Sequence, residues 1–228
     1  MDNGIGKLLR ALRPRVPIDA AELLAAETPE QVAEVLRALP RAFAVRITAH
    51  LPQELRPTEL ADAAEEAPPG VVADIMETTS GVRPADTTVR DTIEWLRQSE
   101  FARELSYVYV TDSNDRLAGL VVMRDLMLAE PTDTLSEVMI AQPYALRSDQ
   151  PIKDAIKGAV MRHFPAYPVC DGQGKFQGLV RGWRLFEQQA IEISAQSGQM
   201  VGVSKGERVS TPMLDSFRMR HPWLQLNL

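Results

Sequence analysis

The feature that most constrains this chain is an internal repeat. Asp74-Ile75-Met76 answers to Glu137-Val138-Met139, and Val89-Arg90-Asp91-Thr92-Ile93 answers to Ile152-Lys153-Asp154-Ala155-Ile156. Further on, Tyr109-Val110-Thr111-Asp112 matches Pro168-Val169-Cys170-Asp171, and Leu117-Ala118-Gly119-Leu120-Val121 matches Phe176-Gln177-Gly178-Leu179-Val180. The matches keep one order at a spacing of about sixty residues, the mark of a duplicated supersecondary unit. Phe101 to Ser106 carries the extra length of the first copy in a loop. Each copy is too small to bury its own sheet, so the two are expected to pack sheet against sheet.

Within the first copy the pattern predicts a helix start around Asp74 to Met76 and a capped helix from Thr88 through Leu96. A strand follows over Tyr107 to Val110, then a turn at Asp112 to Asp115, a strand over Leu117 to Met123 and a helix opening near Asp125. This is a β-α-β-β-α unit. Ahead of it, Ala20 to Glu66 reads as short helices punctuated by prolines, with Leu39-Pro40 recurring as Leu51-Pro52. Thr28-Pro29-Glu30 supplies a cap, an N1 proline and an early acid, and Val32, Val35, Leu36 and Leu39 share one helical face. Ala67-Pro68-Pro69-Gly70 breaks this pattern and marks the domain boundary.

Composition narrows the function. The 228 residues are 45% hydrophobic, enough for a real core, and the formal net charge of -6 argues against a nucleic-acid partner. The single cysteine, Cys170, rules out a disulfide framework within one chain and reads as a core residue. No stretch reaches the eighteen or so apolar residues of a spanning helix, and Met1 to Leu12 lacks the apolar core of a signal peptide. A cytoplasmic location is therefore expected. The three histidines, His50, His163 and His221, form no metalloprotease motif, and there is no nucleophile elbow or Walker loop. Gly172, Gly174 and Gly178 have the wrong spacing for a dinucleotide fingerprint, and Asp171-Gly172 sits where a hairpin turn is needed. A non-enzymatic role is expected.

A pair of units with a hydrophobic-Pro-Val-hydrophobic-Asp strand end, a short turn and then Gly-hydrophobic-hydrophobic resembles tandem CBS domains, the Bateman module. Pro168-Val169-Cys170-Asp171-Gly172 with Gly178-Leu179-Val180 carries that resemblance. The tail narrows it: Gln199-Met200-Val201-Gly202-Val203, Ser210 and Arg218-Met219-Arg220-His221-Pro222-Trp223-Leu224 are similar to the linker and first transmembrane approach of MgtE-type magnesium transporters. The resemblance implies an α+β fold in four parts. These are a shortened helical repeat domain over 1–68, a first CBS repeat over 69–131, a second over 132–188, and a connector helix leading to the first transmembrane helix over 189–228. It implies the cytosolic regulatory region of a magnesium transporter, at the cytoplasmic face of the membrane. Such a region works as a homodimer that senses magnesium and gates its own or an associated transmembrane domain. A free-standing CBS sensor of adenine nucleotides and a truncated copy with only a dimerisation role are the rival readings.

The resemblance also implies two sets of site residues. In nucleotide-binding CBS repeats a Ser or Thr precedes an Asp by three positions after the last strand, and that Asp takes the ribose hydroxyls. The first repeat keeps Asp125 but has Val122 at the hydroxyl position, and the second has Arg181 and Arg184 instead. Asp125 is alternatively a cap of the helix it opens, and the two arginines suit either ATP or AMP phosphates or a solvated surface. For magnesium, which takes oxygen ligands, Glu187 and Glu192 hold acidic positions of the family at the end of the second repeat and along the connector. Asp62, Glu65 and Glu66 would supply the helical side. His163, Arg184, Ala195 and Gln196 stand where many members carry carboxylates, so the acidic cluster is depleted, and each remaining acid also fits a plain solvated helix surface.

Overall fold

The computed structural model describes residues 4–159, 161–187 and 190, and the chain divides into two units, Met1–Gly182 and Trp183–Leu228. In the first unit, α1 (Gly4–Leu12), α2 (Pro17–Leu24), α3 (Pro29–Arg37), α4 (Arg41–His50) and α5 (Thr58–Glu66) form the helical segment. Prolines set the breaks. Pro17 and Pro29 occupy the first turns of α2 and α3, where the missing N–H has no intrahelical partner to lose. Thr28 forms the expected capping box: its hydroxyl accepts from the Gln31 N–H, and the Gln31 side chain accepts from the Thr28 N–H. Leu12, Leu24, Val32, Val35, Leu36, Phe43 and Ile47 are fully buried, and α4 lies against both α2 and α5.

The chain then leaves α5 through Gly70, whose positive φ of 79° suits glycine. A helix was expected around Asp74 to Met76, but a single 3-10 turn over Val72–Asp74 is found instead. The Asp74 carboxylate closes it by accepting the N–H groups of Gly70 (2.7 Å) and Val71 (3.0 Å), and Glu77 then pairs with a sheet, so no helix can continue.

The duplication persists at the level of strand register. The first repeat has β1 (Val82–Pro84), α6 (Val89–Gln98), β2 (Tyr107–Thr111), β3 (Leu117–Val122) and α7 (Met123–Leu128). The second has α8 (Leu135–Val138), β4 (Ile140–Ala141), β5 (Leu146–Arg147), α9 (Ile152–Ala159), β6 (Ala166–Cys170) and β7 (Phe176–Arg181). β1 runs parallel to β2 and β5 parallel to β6, with a helix as each crossover, while β2–β3 and β6–β7 are antiparallel hairpins. Each hairpin carries a register shift at the same place, after Val110 and after Val169. Asp112 and Asp171 close both turns alike, each taking two backbone N–H groups at 2.8 and 2.9 Å.

Each repeat also lends its leading edge to the other. β4 pairs with β3 of the first repeat, and Glu77 pairs with Leu179 of the second through hydrogen bonds of 2.8 and 2.9 Å. The glycines of the repeat explain themselves here. A Cβ on Gly119 would lie 2.9 Å from the Ile140 carbonyl oxygen, and one on Gly178 would lie 2.3 Å from that of Glu77. The sheets meet as expected, Tyr107, Tyr109 and Leu120 against Ala166 and Leu179, with Tyr109 stacked on Phe176 at 4.8 Å. Behind the first sheet, Val89, Val108, Val110, Val121, Leu126 and Leu135 make a second core under the helices.

Candidate functional site

The helical segment meets the repeats around one charged residue. α4 buries Phe43, Ala44 and Ile47, and the same helix carries Arg46 into the interior with only 5% of its surface exposed. A guanidinium there needs an anion. Asp74 supplies it, with 2.7 Å between Arg46 Nε and Asp74 Oδ1, and Arg46 Nη2 donates to the Pro68 carbonyl at 2.5 Å. The Nε contact is close but poorly aligned for a hydrogen bond, so the attraction to Asp74 is mainly Coulombic and the directional bond goes to Pro68.

Beside this pair lies a cavity of about 840 Å³, walled by α1, α4, the 67–82 segment and the turns of both hairpins. Its acids are largely committed. Asp149 is bound by Arg147 at 2.6 Å, which holds its carboxyl below the usual range, and Asp171 is occupied by its own turn. Of its cations Arg46 is paired, whereas Arg13, Arg41 and Lys175 have no carboxylate within ion-pairing distance among the described residues. Burial, helped by neighbouring Arg10, pushes the Arg13 pKa down. A second cavity of about 30 Å³ shares Arg13, Thr78 and Thr79 with the first and adds Ser80, Glu104 and Arg181. The hydroxyls of Thr78 and Ser80 are buried without a hydrogen-bond partner.

Of the residues expected for nucleotide binding, Arg181 lines the second cavity and Val122, Asp125 and Arg184 line neither. Val122 is the N-cap position of α7 and offers no side-chain cap, and Asp125 sits in the first turn, 3.1 Å from the Arg124 guanidinium. Arg181 is committed to the first repeat: its Nε donates to Glu77 at 2.9 Å, and the Glu77 side chain is only 3% exposed. Tyr109, almost fully buried and near both partners, has its phenol pKa pushed up chiefly by desolvation. Arg184 belongs to the second unit, where its guanidinium lies over the Trp183 ring at 4.7 Å.

For the metal set, Asp62, Glu65 and Glu66 are exposed on α5, and none of them lines either cavity. Glu187 is exposed in the second unit, while Glu192, with Ala195 and Gln196 and most of the connector and tail, lies outside the described residues. Among the described residues no group of three His, Cys, Asp or Glu side chains is placed to hold a metal ion, and no helix is long and apolar enough to cross a membrane. Sequence reasoning missed Arg46, Asp74, Glu77 and Arg13. Only the Pro-Pro-Gly boundary beside Asp74 hinted at a structured junction.

A model of the CBS domain matches residues 135–189. The magnesium transporter MgtE of Thermus thermophilus is 30% identical over 94 residues, which cover 41% of this chain and 21% of that protein. The chain thus spans about a fifth of the length of that curated relative. The soluble part of a magnesium transporter superposes with a TM-score of 0.54 at 22% identity, over 84% of this chain and 73% of that one. The cytosolic domain of the Mg2+ channel MgtE in complex with ATP gives 0.52 at 21%, over 79% and 78%. These likenesses establish the fold, and the sequence matches make this chain similar to the MgtE magnesium transporters over the parts they cover.

Proposed function

We propose that the chain is the cytosolic regulatory region of a magnesium transporter, in which docking of the helical segment on the CBS pair is the event passed on to a transmembrane domain. The observation that carries this reading is the buried Arg46–Asp74 contact. It joins the helical segment to the first repeat through a specific charge pair rather than a loose linker. In this reading magnesium adds to the docking through carboxylates, with Asp62, Glu65 and Glu66 on one side and Glu187 and Glu192 on the other. The region acts as a homodimer, which suits the exposed apolar side chains Met127 and Leu128 on α7, 81% and 78% exposed. The test is limited proteolysis of the segment after Gly182 during a magnesium titration, with sedimentation to read the dimer. Protection at millimolar magnesium that vanishes in Glu187→Ala plus Glu192→Ala supports the reading, and protection indifferent to both rejects it.

Adenine nucleotide is a second effector in this reading. The cytosolic domain of the channel MgtE binds ATP, and Asp125 with Arg124 offers this chain a carboxylate for a ribose and a guanidinium for a phosphate at one helix start. Calorimetry with ATP and AMP on the wild type and on Asp125→Ala tests it. Equal binding by both proteins would remove Asp125 from the site.

A further inference from the structure

We propose that α1 is a lipid-contact element whose cationic face rests on the anionic surface of a bilayer. The helix divides sharply by face. Ile5, Leu8, Leu9 and Leu12 fall at helical spacing and form one apolar stripe, while Lys7, Arg10 and Ala11 lie opposite. α1 lies against α3, with Leu12 fully buried and Ile5, Leu8 and Leu9 half-buried. Lys7, Arg10 and, just beyond the helix, Arg15 are exposed. The Arg15 Nε donates to the Ala11 carbonyl at 3.2 Å, which fixes this third cation against the last turn of α1. Arg13, half-buried at the cavity, is not part of this face. Ile18, which follows Arg15 closely, is 49% exposed and sets an apolar side chain among the cations, the combination that a lipid interface accommodates.

The charge pattern points to an anionic partner. Residues 4–16 hold four cations and no acid in a chain of formal net charge -6, and residues 17–36 hold five acids and no cation. A nucleic acid winding past the protein would meet the acidic remainder, whereas a bilayer is a plane that a single helix touches while the acids point elsewhere. The choice of a bilayer rests on the transporter reading, which sets the region beside one. Three cations give only weak, reversible adsorption, and that suffices for a region tethered to a transmembrane domain, because the tether supplies a high local concentration.

The experiment is co-sedimentation of the full chain with phosphatidylglycerol vesicles and with phosphatidylcholine vesicles. Binding should require phosphatidylglycerol and weaken as salt is raised. Lys7→Gln plus Arg10→Gln should lower the partition coefficient about twentyfold, the equivalent of two basic residues lifted from an anionic surface. Arg103→Gln plus Lys153→Gln, an equal change of charge at exposed positions outside α1, should leave it unaltered. If the α1 pair does not fold, judged by circular dichroism, Lys7→Gln alone decides, with a loss of about fivefold. No binding to phosphatidylglycerol, equal binding to both lipids, or equal weakening by the two pairs overturns the proposal. Self-association without lipid that the α1 pair abolishes, in a chain that ignores vesicles, also overturns it and assigns the face to the acids of a second copy. None of these outcomes touches the transporter reading, which stands or falls on the magnesium titration.

Discussion

Replacing Arg46 by Met should be among the most damaging single changes at the junction. The Met side chain fills much of the same volume but leaves Asp74 without its guanidinium 2.7 Å away, and the Pro68 carbonyl without its donor. Removing one partner of a buried ion pair costs about 3–5 kcal/mol, because the other charge stays buried and uncompensated. Asp74 keeps the Gly70 and Val71 N–H donors and is 23% exposed at its side chain, which places the cost at the low end, about 3 kcal/mol. Asp74→Asn should cost more, since the stranded arginine is 6% exposed and retains only the Pro68 carbonyl. Against a typical domain stability of about 5–15 kcal/mol either loss is large. Urea unfolding of the two single variants and the double variant measures the coupling directly. The double should be less destabilised than the sum of the singles by about 2 kcal/mol. A coupling near zero would refute the idea that this pair holds the segment in place.

Three further outcomes follow from the same structure. Gly178→Ala should cost about 3 kcal/mol in denaturant unfolding, because its Cβ meets the Glu77 carbonyl at 2.3 Å and the bridge to Leu179 must open; a cost below 1 would contradict that close approach. Cys170, its thiol pKa pushed up to about 11 chiefly by burial, should react with a disulfide reagent at pH 8 only as fast as the protein opens, and immediate stoichiometric reaction would show the strand to be exposed. Asp112, Glu137 and Asp149 have folded-state pKa values lowered by hydrogen bonds, so they stabilise the fold above the ordinary carboxylate range and stop doing so as pH falls through their folded values. The melting temperature should therefore hold from neutrality to about pH 5 and decline below about pH 4, with a shallower decline in Asp112→Asn; an identical acid slope in that variant would count against the turn's role.

What the sequence disclosed was local or repeated. The Thr28 and Thr88 caps, the Asp112 and Asp171 turns and the two matched hairpins all rest on signals within a few residues or on the copy, and they appear where expected. The lost helix at Asp74 shows the limit: Asp74 satisfies the motif of a helix start, yet its carboxylate turns back on Gly70 and Val71, and Glu77 is drawn into the other repeat's sheet. Arg46 and Asp74 lie 28 positions apart and Glu77 and Arg181 lie 104 apart, and no periodicity couples such positions. Arg181 shows the same limit, because its place at a strand end does not disclose the buried glutamate with which it pairs.

The Arg46–Asp74 pair also bears on how magnesium can act. A divalent ion joins two surfaces by drawing carboxylates from each together, so its effect vanishes when the ion is removed. Here a cation is covalently part of one surface and its carboxylate part of the other. That contact contributes no dependence on magnesium concentration to the docking free energy, and any such dependence must come from other carboxylates, those of α5 and those beyond Gly182. The helical segment should accordingly remain docked in EDTA, with cleavage sites around Ala67 to Gly70 protected, and Arg46→Met should expose them in EDTA. Release of the segment from the wild type by EDTA alone would mean that the charge pair does not suffice, and that magnesium holds the junction itself.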